Sequence, residues 1–151
     1  MKSEGLRKGL RLACSSLGIL LSTYACYVKN NSQNDSQFEA TCDISESVSC
    51  SKVFNSEYGN IFSSIGILEK GSLLDLPNAV YGCLFYILII LLSIAMPDDQ
   101  YTSFLLLILT SASMVLSAYL AYILSEVLQV ICLVCFSTYA CNLALFLSLI
   151  F

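Results

Sequence analysis

The sequence predicts an all-α membrane protein, a four-helix bundle with a luminal loop and a short amphipathic cap helix. Hydrophobic residues make up 57% of the 151 and charged residues only 12%, a balance too apolar for a soluble domain of this length. The charges are also segregated, since Asp98, Asp99 and Glu126 are the only charged residues from Ala79 to Phe151. We therefore interpret residues 1–151 as one transmembrane domain.

Four stretches meet or approach the length of about 20 apolar residues that a helix needs to cross the hydrocarbon core. They are residues 10–28, 79–96, 101–125 and 127–151. Asp98 and Asp99, next to Pro97, are expected to break the second helix from the third. Glu126 is expected to break the third from the fourth. Residues 30–78 then form the loop, whose polar start, 30–37, resembles a flexible connector.

Apolar residues at helical spacing in this loop predict a short amphipathic helix. They are Phe54, Tyr58, Phe62, Ile65 and Leu68. Such a helix would lie at the membrane surface, over the mouth of the bundle. Simple interfacial anchoring explains the pattern equally well.

Basic residues near the first helix predict the orientation. The residues concerned are Lys2, Arg7, Lys8 and Arg11. Basic flanks stay on the cytoplasmic side, so four crossings place both termini in the cytoplasm and the 30–78 loop outside or in a lumen. Glycosylation sequons at Asn30 and Asn34 agree with a lumen.

The sequence contains no histidine, which excludes several kinds of functional site. The excluded kinds are Ser-His catalytic sites, histidine-ligated haem and the usual zinc sites. The sequence also has no glycine-rich phosphate loop, and we expect neither a metal site nor a nucleic-acid partner. Eight cysteines remain as candidates for chemistry.

Cys132 and Cys135 form a C-x-x-C motif, the sharpest chemical signal in the chain. In a helix this spacing puts two thiols on one face, close enough for an exchangeable disulfide. The alternative is two small apolar residues packed inside the bundle. The predicted topology favours redox chemistry, because it places the pair at the luminal end of the fourth helix.

Depth along that helix separates the two thiols. Cys132 would be shallower by about 4.5 Å and within reach of a luminal thiol, whereas Cys135 would face molecules dissolved in the membrane. Tyr139 and Asn142 fall close to the direction of Cys135 and could bind a ligand carbonyl, or equally could join helices by hydrogen bonds. Asn78, after Pro77, is a candidate N-cap of the second helix and lies at a depth suited to the same ligand.

The other cysteines divide by depth. Cys42 and Cys50 lie in the loop, and in an oxidising compartment they should pair with each other or with another luminal thiol. Such a pair is either a structural staple or a carrier of electrons from a soluble partner to Cys132. Cys14 and Cys141 are expected to be packing residues.

Four segments together resemble the vitamin K epoxide reductase family. They are Cys42-Asp43-x6-Cys50-Ser51, Asn78-Ala79-Val80-Tyr81-Gly82, Tyr119-Leu120-Ala121-Tyr122-Ile123-Leu124 and Cys132-x2-Cys135-x3-Tyr139. The resemblance runs from about Leu10 to the end. It implies a thiol-dependent enzyme of the endoplasmic reticulum membrane that reduces vitamin K epoxide to the quinone, and the quinone to the hydroquinone. It also implies no tightly bound cofactor, because the redox-active disulfides carry the electrons.

The resemblance also assigns roles to residues. Cys132 and Cys135 become the active pair, and Cys42 and Cys50 relay electrons from a luminal thioredoxin-fold reductant. The implied substrate-binding residues are Asn78 and Tyr139 as hydrogen-bond donors, and Phe54, Tyr58, Tyr81 and Phe85 as apolar wall. Tyr58 departs from the tryptophan usual in the family. Further implied ligands are membrane lipid and coumarin-type inhibitors.

Two rival functions remain open at the level of sequence. One is the reverse reaction, a quinone-dependent thiol oxidase that makes disulfides in luminal partners. Its direction depends on relative potentials, which the sequence does not give. The other is a non-catalytic four-helix scaffold whose loop is stapled by a disulfide.

Overall fold

A computed structural model describes residues 2–35, 37–96 and 99–151 of the chain. The helical elements, in chain order, are α1 (Lys2–Asn34), α2 (Cys50–Asn55), a 3₁₀ turn (Glu57–Gly59), α3 (Ile61–Ser64), α4 (Asn78–Ala95), α5 (Gln100–Tyr122), a π-helical segment (Ile123–Leu128) and α6 (Leu133–Ile150). Within the described residues there is no β-strand, only two isolated bridges. Pro97 and Asp98 of the predicted break, and Ser36 of the second sequon, lie outside these residues.

Among the described residues, four segments are long and apolar enough to cross a membrane, which confirms the predicted fold class. They lie at Gly5–Asn34, Asn78–Ala95, Gln100–Leu128 and Leu133–Ile150. Helix α1 packs along both α4 and α6, and α5 packs against α6. The short helices α2 and α3 lie in the loop between α1 and α4, and we call the segment 50–64 the cap.

Helix α1 is longer than predicted at both ends. The prediction stopped it at residue 28, whereas it continues to Asn34. In the added turns the side-chain amides of Asn31 and Asn34 each donate to the carbonyl four residues earlier, at 2.8 Å. The Asp35 N–H donates to the Asn31 carbonyl at 2.9 Å and closes the last helical turn. The predicted connector 30–37 is therefore largely helical.

The predicted break at Glu126 is wrong. The third membrane helix continues through a π-helical segment to Leu128, and the chain turns at Gln129, whose backbone is left-handed with φ 52°. Glutamate has good helix propensity and does not stop a helix by itself, whereas a left-handed residue does. Helix α6 consequently begins at Leu133, six residues after the predicted start at residue 127.

The cap is not the single amphipathic helix that the spacing predicted. Ser56 has extended backbone (φ −65°, ψ 162°) and ends α2, and Asn60 interrupts the chain again before α3. Ile65 and Leu68 lie beyond the end of α3. Phe54, Tyr58 and Phe62 nevertheless line one cavity beneath the cap.

Two buried clusters hold the bundle together. The first lies at the loop end and combines Ala25 and Val28 of α1 with Val53 of the cap. The second lies deeper and includes Tyr86, Ile89, Leu106, Cys141 and Leu145, with Cys14 packed against it. This placement confirms the packing role predicted for Cys14 and Cys141. Helices α1 and α4 approach closely here, since a Cβ at Gly18 would overlap the Tyr86 ring.

Candidate active site

Two disulfides lie at the loop end of the bundle. Cys42 and Cys50, the loop pair, have Cα atoms 5.8 Å apart, and Cys132 and Cys135, the helix pair, have Cα atoms 5.2 Å apart. Both distances fall in the range in which disulfides form. The remaining cysteines are free thiols: Cys14, Cys26, Cys83 and Cys141.

The helix pair straddles the start of α6 rather than lying within a helix as predicted. Cys132 is the N-cap residue, and its Sγ accepts a hydrogen bond of 3.3 Å from the Cys135 backbone N–H. Helix N-termini carry a partial positive charge and unpaired N–H groups. A thiolate formed at Cys132 by reduction would therefore be stabilised by the helix that follows it.

A short backbone bridge joins the loop pair to the helix pair. Ser49 N–H donates to the Ile131 carbonyl at 3.0 Å, and Ile131 N–H donates to the Ser47 carbonyl at 2.8 Å. Val48 and Ile131 thus form a parallel bridge, a register that puts Ser49 opposite Cys132. Cys50, the next residue, is 0% exposed, as is Cys132, and both belong to the same buried cluster.

Exposure differs between the two loop cysteines. Cys42 is 8% exposed, whereas Cys50 is fully buried. The hydroxyl of Tyr24, on α1, lies 3.9 Å from Cys42 Sγ, a distance at which it can stabilise charge on a departing thiolate. Cys42 is therefore the more accessible sulfur of the loop pair.

A cavity of about 500 Å³ opens between the four membrane helices, beneath the cap. Its wall is mostly apolar, and Cys135 contributes to it, whereas Cys132 is not among the lining residues. All six predicted substrate-binding residues line it: Phe54, Tyr58, Asn78, Tyr81, Phe85 and Tyr139. Cavities of this volume, apolar with a few polar groups, are typical of small-molecule sites.

Asn78 is not the helix cap that its position suggested. Pro77 occupies the N-cap position of α4, and Asn78 is the first helical residue. Its Oδ1 accepts from Ile61 N–H at 2.8 Å, and its Nδ2 donates to the Tyr58 carbonyl at 2.7 Å. Asn78 therefore fastens the cap to α4. An amide nitrogen carries two hydrogens, so one remains for a ligand in the cavity.

Tyr139 and Asn142 have different partners, although both line the cavity. In the described part of the chain, the Tyr139 hydroxyl makes no hydrogen bond, and its ring packs edge-on against Phe136. Asn142 is occupied: its Oδ1 accepts from the Tyr86 hydroxyl and its Nδ2 donates to Ser117 Oγ, both at 2.8 Å. Asn142 thus joins α4, α5 and α6. The sequence had left hydrogen bonding between helices open as one of its two possible roles.

Comparison with known proteins gives concordant results. The family model described as "Vitamin K epoxide reductase family" matches residues 10–150. The chain is 40% identical over 147 residues to "Vitamin K epoxide reductase complex subunit 1" of Mus musculus, covering 97% of this chain and 88% of the mouse protein. It is 38% identical over 139 residues to the protein of the same name from Rattus norvegicus, covering 91% and 85% of the two chains.

The chain belongs to the vitamin K epoxide reductase family. The match covers all four membrane helices, the loop pair and the helix pair. It agrees with the resemblance read from the cysteine, asparagine and tyrosine motifs. The protein is therefore a multi-pass membrane member of this family.

One charged group at the cavity was not predicted as part of the site. Lys29, near the end of α1, is the only charged residue that lines the cavity in the described chain. Its Nζ donates to Asn60 Oδ1, and Asn60 Nδ2 donates to Asp75 Oδ1 at 2.9 Å. In the sequence Lys29 resembles any lysine at a membrane surface. Its position on the helix does not reveal its partner, because Asn60 belongs to the cap, 31 positions later.

Asp43 organises the loop that carries Cys42 and Cys50. Its carboxylate accepts hydrogen bonds from Ser49 Oγ (2.8 Å), the Ser51 N–H (3.0 Å), the Ser51 hydroxyl and the Ala40 N–H (2.9 Å). Burial alone would raise the pKa of this carboxyl, but the bonds from Ser51, Ala40 and Ser49 outweigh it and lower the pKa to about 2.

We predict that Asp43→Asn destabilises the protein at neutral pH and that the deficit shrinks in acid. Because the folded pKa is depressed, ionised Asp43 contributes stability that is fully present above the unfolded pKa of about 4. That stability is lost as the pH falls through about 4 towards 2. The measurement is the Tm of the detergent-solubilised protein between pH 7 and 2.5, compared with the variant.

Glu46→Gln is the matched control, since Glu46 is an exposed carboxylate in the same loop. Its Tm should follow that of the unmodified protein at every pH. A Tm deficit of Asp43→Asn that stays constant down to pH 2.5 would contradict the role given to the ionised carboxylate.

Proposed function

We propose that this protein is a thiol-dependent reductase that converts vitamin K epoxide to the quinone and the quinone to the hydroquinone. One observation carries the proposal: the two sulfurs of the helix pair have different surroundings. Cys135 lines the apolar cavity, whereas Cys132 is buried beside the loop pair. Such a disulfide can exchange electrons with a cavity ligand on one side and with thiols on the other. The names of the mouse and rat relatives support the same substrate.

Reduction of the epoxide starts when both cysteines of the helix pair are reduced to thiols. Cys135 thiolate attacks a ring carbon of the epoxide, and the C–O bond opens to an alkoxide that takes a proton. Cys132 thiolate then attacks Cys135 Sγ, the C–S bond breaks, and its electron pair expels the hydroxyl as water with a second proton. Epoxide and two thiols thus become quinone, water and one disulfide. In the second reaction, two electrons and two protons from the same pair convert quinone to hydroquinone.

Asn78 and Tyr139 are the proposed hydrogen-bond donors to the ring oxygens. Both side chains line the mostly apolar cavity: Asn78 has a spare Nδ2 hydrogen, and the Tyr139 hydroxyl has no hydrogen-bond partner among the described residues. Donors fixed before reaction stabilise negative charge as it develops on a carbonyl oxygen. Phe54, Tyr58, Tyr81 and Phe85 would hold the ring between them.

Electrons return through the loop pair in this proposal. A luminal thioredoxin-fold protein reduces the disulfide at Cys42, the more exposed sulfur. Cys50 then attacks Cys132, giving a Cys50–Cys132 disulfide and releasing Cys135 as thiolate. Cys42 attacks Cys50, which restores the loop disulfide and frees Cys132. The bridge between Val48 and Ile131 supports this order, because it holds Cys50 close to Cys132.

The proposed location is the endoplasmic reticulum membrane, with both termini cytoplasmic and the loop in the lumen. Arg7, Lys8 and Arg11 lie at the opposite end of α1 from the loop, the arrangement expected for a cytoplasmic N-terminus. The loop cysteines then face a compartment that permits disulfides. Coumarin-type compounds are proposed inhibitors, because a fused bicyclic ring suits the aromatic cavity.

Our first functional prediction concerns the helix pair. Cys132→Ala and Cys135→Ala should each abolish conversion of vitamin K epoxide to quinone by the purified protein with dithiothreitol. The reason is that the reduction oxidises both thiols of the helix pair to a disulfide, and each variant retains only one of them. Product is measured by chromatography. Cys141→Ala, in the same helix but packed in the deeper cluster, is the matched control and should retain most of the activity.

Turnover by Cys135→Ala would exclude the mechanism above. A protein that forms no quinone from the epoxide, but oxidises partner thiols when given quinone, would instead support the reverse reaction.

The second prediction distinguishes a relay from a staple. A small dithiol can reduce the helix pair directly, whereas a bulky thioredoxin-fold reductant must act through Cys42. Cys42→Ala and Cys50→Ala should therefore keep much of their activity with dithiothreitol and lose it with the protein reductant. In Cys135→Ala the Cys132 thiolate can still attack the loop disulfide at Cys50 and release Cys42 as thiolate. Cys135 is then missing and cannot displace Cys50 from Cys132, so the only route back is through Cys42. A Cys50–Cys132 disulfide should therefore appear in mass spectra of non-reduced digests.

A staple gives the opposite results. Both loop variants would then lose activity equally with either reductant, and Cys135→Ala would contain only the Cys42–Cys50 disulfide.

The third prediction concerns Tyr139. Tyr139→Phe keeps the ring and removes only the hydroxyl. The transition state for the epoxide should lose about 1–3 kcal/mol of stabilisation, which lowers kcat/KM correspondingly. Tyr122→Phe is the control, because its 60% exposed ring lies outside the cavity. An unchanged kcat/KM in Tyr139→Phe would assign Tyr139 to packing alone.

A further inference from the structure

Two of the free thiols belong to neighbouring membrane helices and have no part in the proposed reaction. Cys26 lies on α1 and Cys83 on α4, and both are free and partly exposed. Neither side chain lines the cavity, although the adjacent residues Ala25 and Gly82 do. The two thiols therefore lie outside the cavity that forms the candidate active site.

Helices α1 and α4 are antiparallel and approach closely beside these thiols. Gly18 of α1 lies against the Tyr86 ring, and Ser22, one turn later, lies against Gly82, one turn earlier on α4. A Cβ at Gly82 would lie only 2.8 Å from Ser22 Oγ. Because Gly82 has no side chain, the two backbones can come together next to Cys83.

Contacts along this seam place the two thiols near each other. The hydroxyl of Thr23, the residue after Ser22, lies 3.8 Å from Cys83 Sγ. Cys26 follows Thr23 by three residues, so the two side chains are neighbours on one face of α1. Cys26 is also close enough to Cys83 for charges on the two sulfurs to interact.

Helix geometry directs the two sulfurs towards each other. Each Cα–Cβ bond of a helix tilts towards the N-terminus of that helix. Because α1 and α4 are antiparallel, Cys26 leans back towards the level of Thr23, and Cys83 leans in the opposite direction, towards the level of Cys26. The offset of roughly one turn, about 5.4 Å along the axis, is therefore shortened from both sides.

We propose that Cys26 and Cys83 form an oxidation site, a third dithiol that a peroxide converts to a disulfide joining α1 to α4. The site does not depend on the proposed reductase, since neither thiol belongs to the loop pair or the helix pair. It would cross-link two helices whose adjacent residues, Ser22 and Gly82, form part of the cavity wall.

The oxidation proceeds in two steps. One thiolate attacks a peroxide oxygen, the O–O bond breaks, and a sulfenic acid and water form. The second thiol attacks the sulfenic sulfur and expels its hydroxyl, which leaves as water with the thiol proton. The two thiols thus lose two electrons and two protons, and hydrogen peroxide becomes two waters.

The test uses the purified full-length protein in detergent, with the loop pair and the helix pair left oxidised. Hydrogen peroxide is added, remaining thiols are alkylated, and the protein is digested without reduction. Mass spectrometry should show the peptides of Cys26 and Cys83 joined, in material that runs as a monomer on a non-reducing gel. Dithiothreitol should separate the two peptides again.

Substitutions separate this pair from general thiol oxidation. Cys26→Ser and Cys83→Ser should each abolish the joined peptide and leave the remaining thiol as a sulfenic acid, which dimedone traps. Cys14→Ser is the matched control, because Cys14 also lies on α1 but packs against the deeper cluster. It should form the link as readily as the unmodified protein.

Two results would overturn the proposal. In the first, peroxide leaves Cys26 and Cys83 as separate thiols or converts them to separate acids, so the seam does not bring them together. In the second, the joined peptide occurs only in dimers, so the thiols react between copies of the protein.

Discussion

Thiol–disulfide exchange requires the attacking sulfur to approach a disulfide closely, and the proposed relay therefore needs Cys50 held beside Cys132. A loop held only by its two ends would rarely place Cys50 beside Cys132. The parallel bridge between Val48 and Ile131 supplies the missing constraint. It needs extended backbone before α6, and the left-handed turn at Gln129 provides it by ending the preceding π-helical segment. The connection between the third and fourth membrane helices therefore holds the loop that carries Cys50 against the start of α6.

The broken cap follows from a related constraint. Asn78 reaches two backbone groups, the Ile61 N–H and the Tyr58 carbonyl. In one continuous helix these groups would bond within the helix and would not be available. Because the helix is interrupted near Asn60, these two backbone groups are available to the Asn78 side chain. The same amide can then close the roof of the cavity and still offer a donor to a ligand inside it.

Much of this arrangement could be predicted from the sequence. Hydrophobic length predicted the four membrane helices, and the C-x-x-C spacing identified the helix pair, because those signals are local. For Cys42 and Cys50 the position in the loop predicted a disulfide but left the partner open, and the structure pairs them with each other. The π-helical segment after Tyr122 and the start of α6 at Leu133 could not be predicted, since they depend on a bridge to a residue more than 80 positions earlier. Asn142 was ambiguous for the same reason: its partners, Tyr86 and Ser117, lie on other helices.

Lys29 shows why charge in a cavity is the hardest feature to predict. Its sequence neighbours indicate only that it lies near a membrane surface. Its place at the cavity depends on the cap folding over α1 and bringing Asn60 between Lys29 and Asp75. Asn60 lies 31 positions after Lys29, and Asp75 a further 15, so no pattern local to Lys29 could show that these three side chains meet. A local pattern can place a lysine near the membrane surface, but its hydrogen-bond partners are fixed only when the loop has folded back onto the bundle.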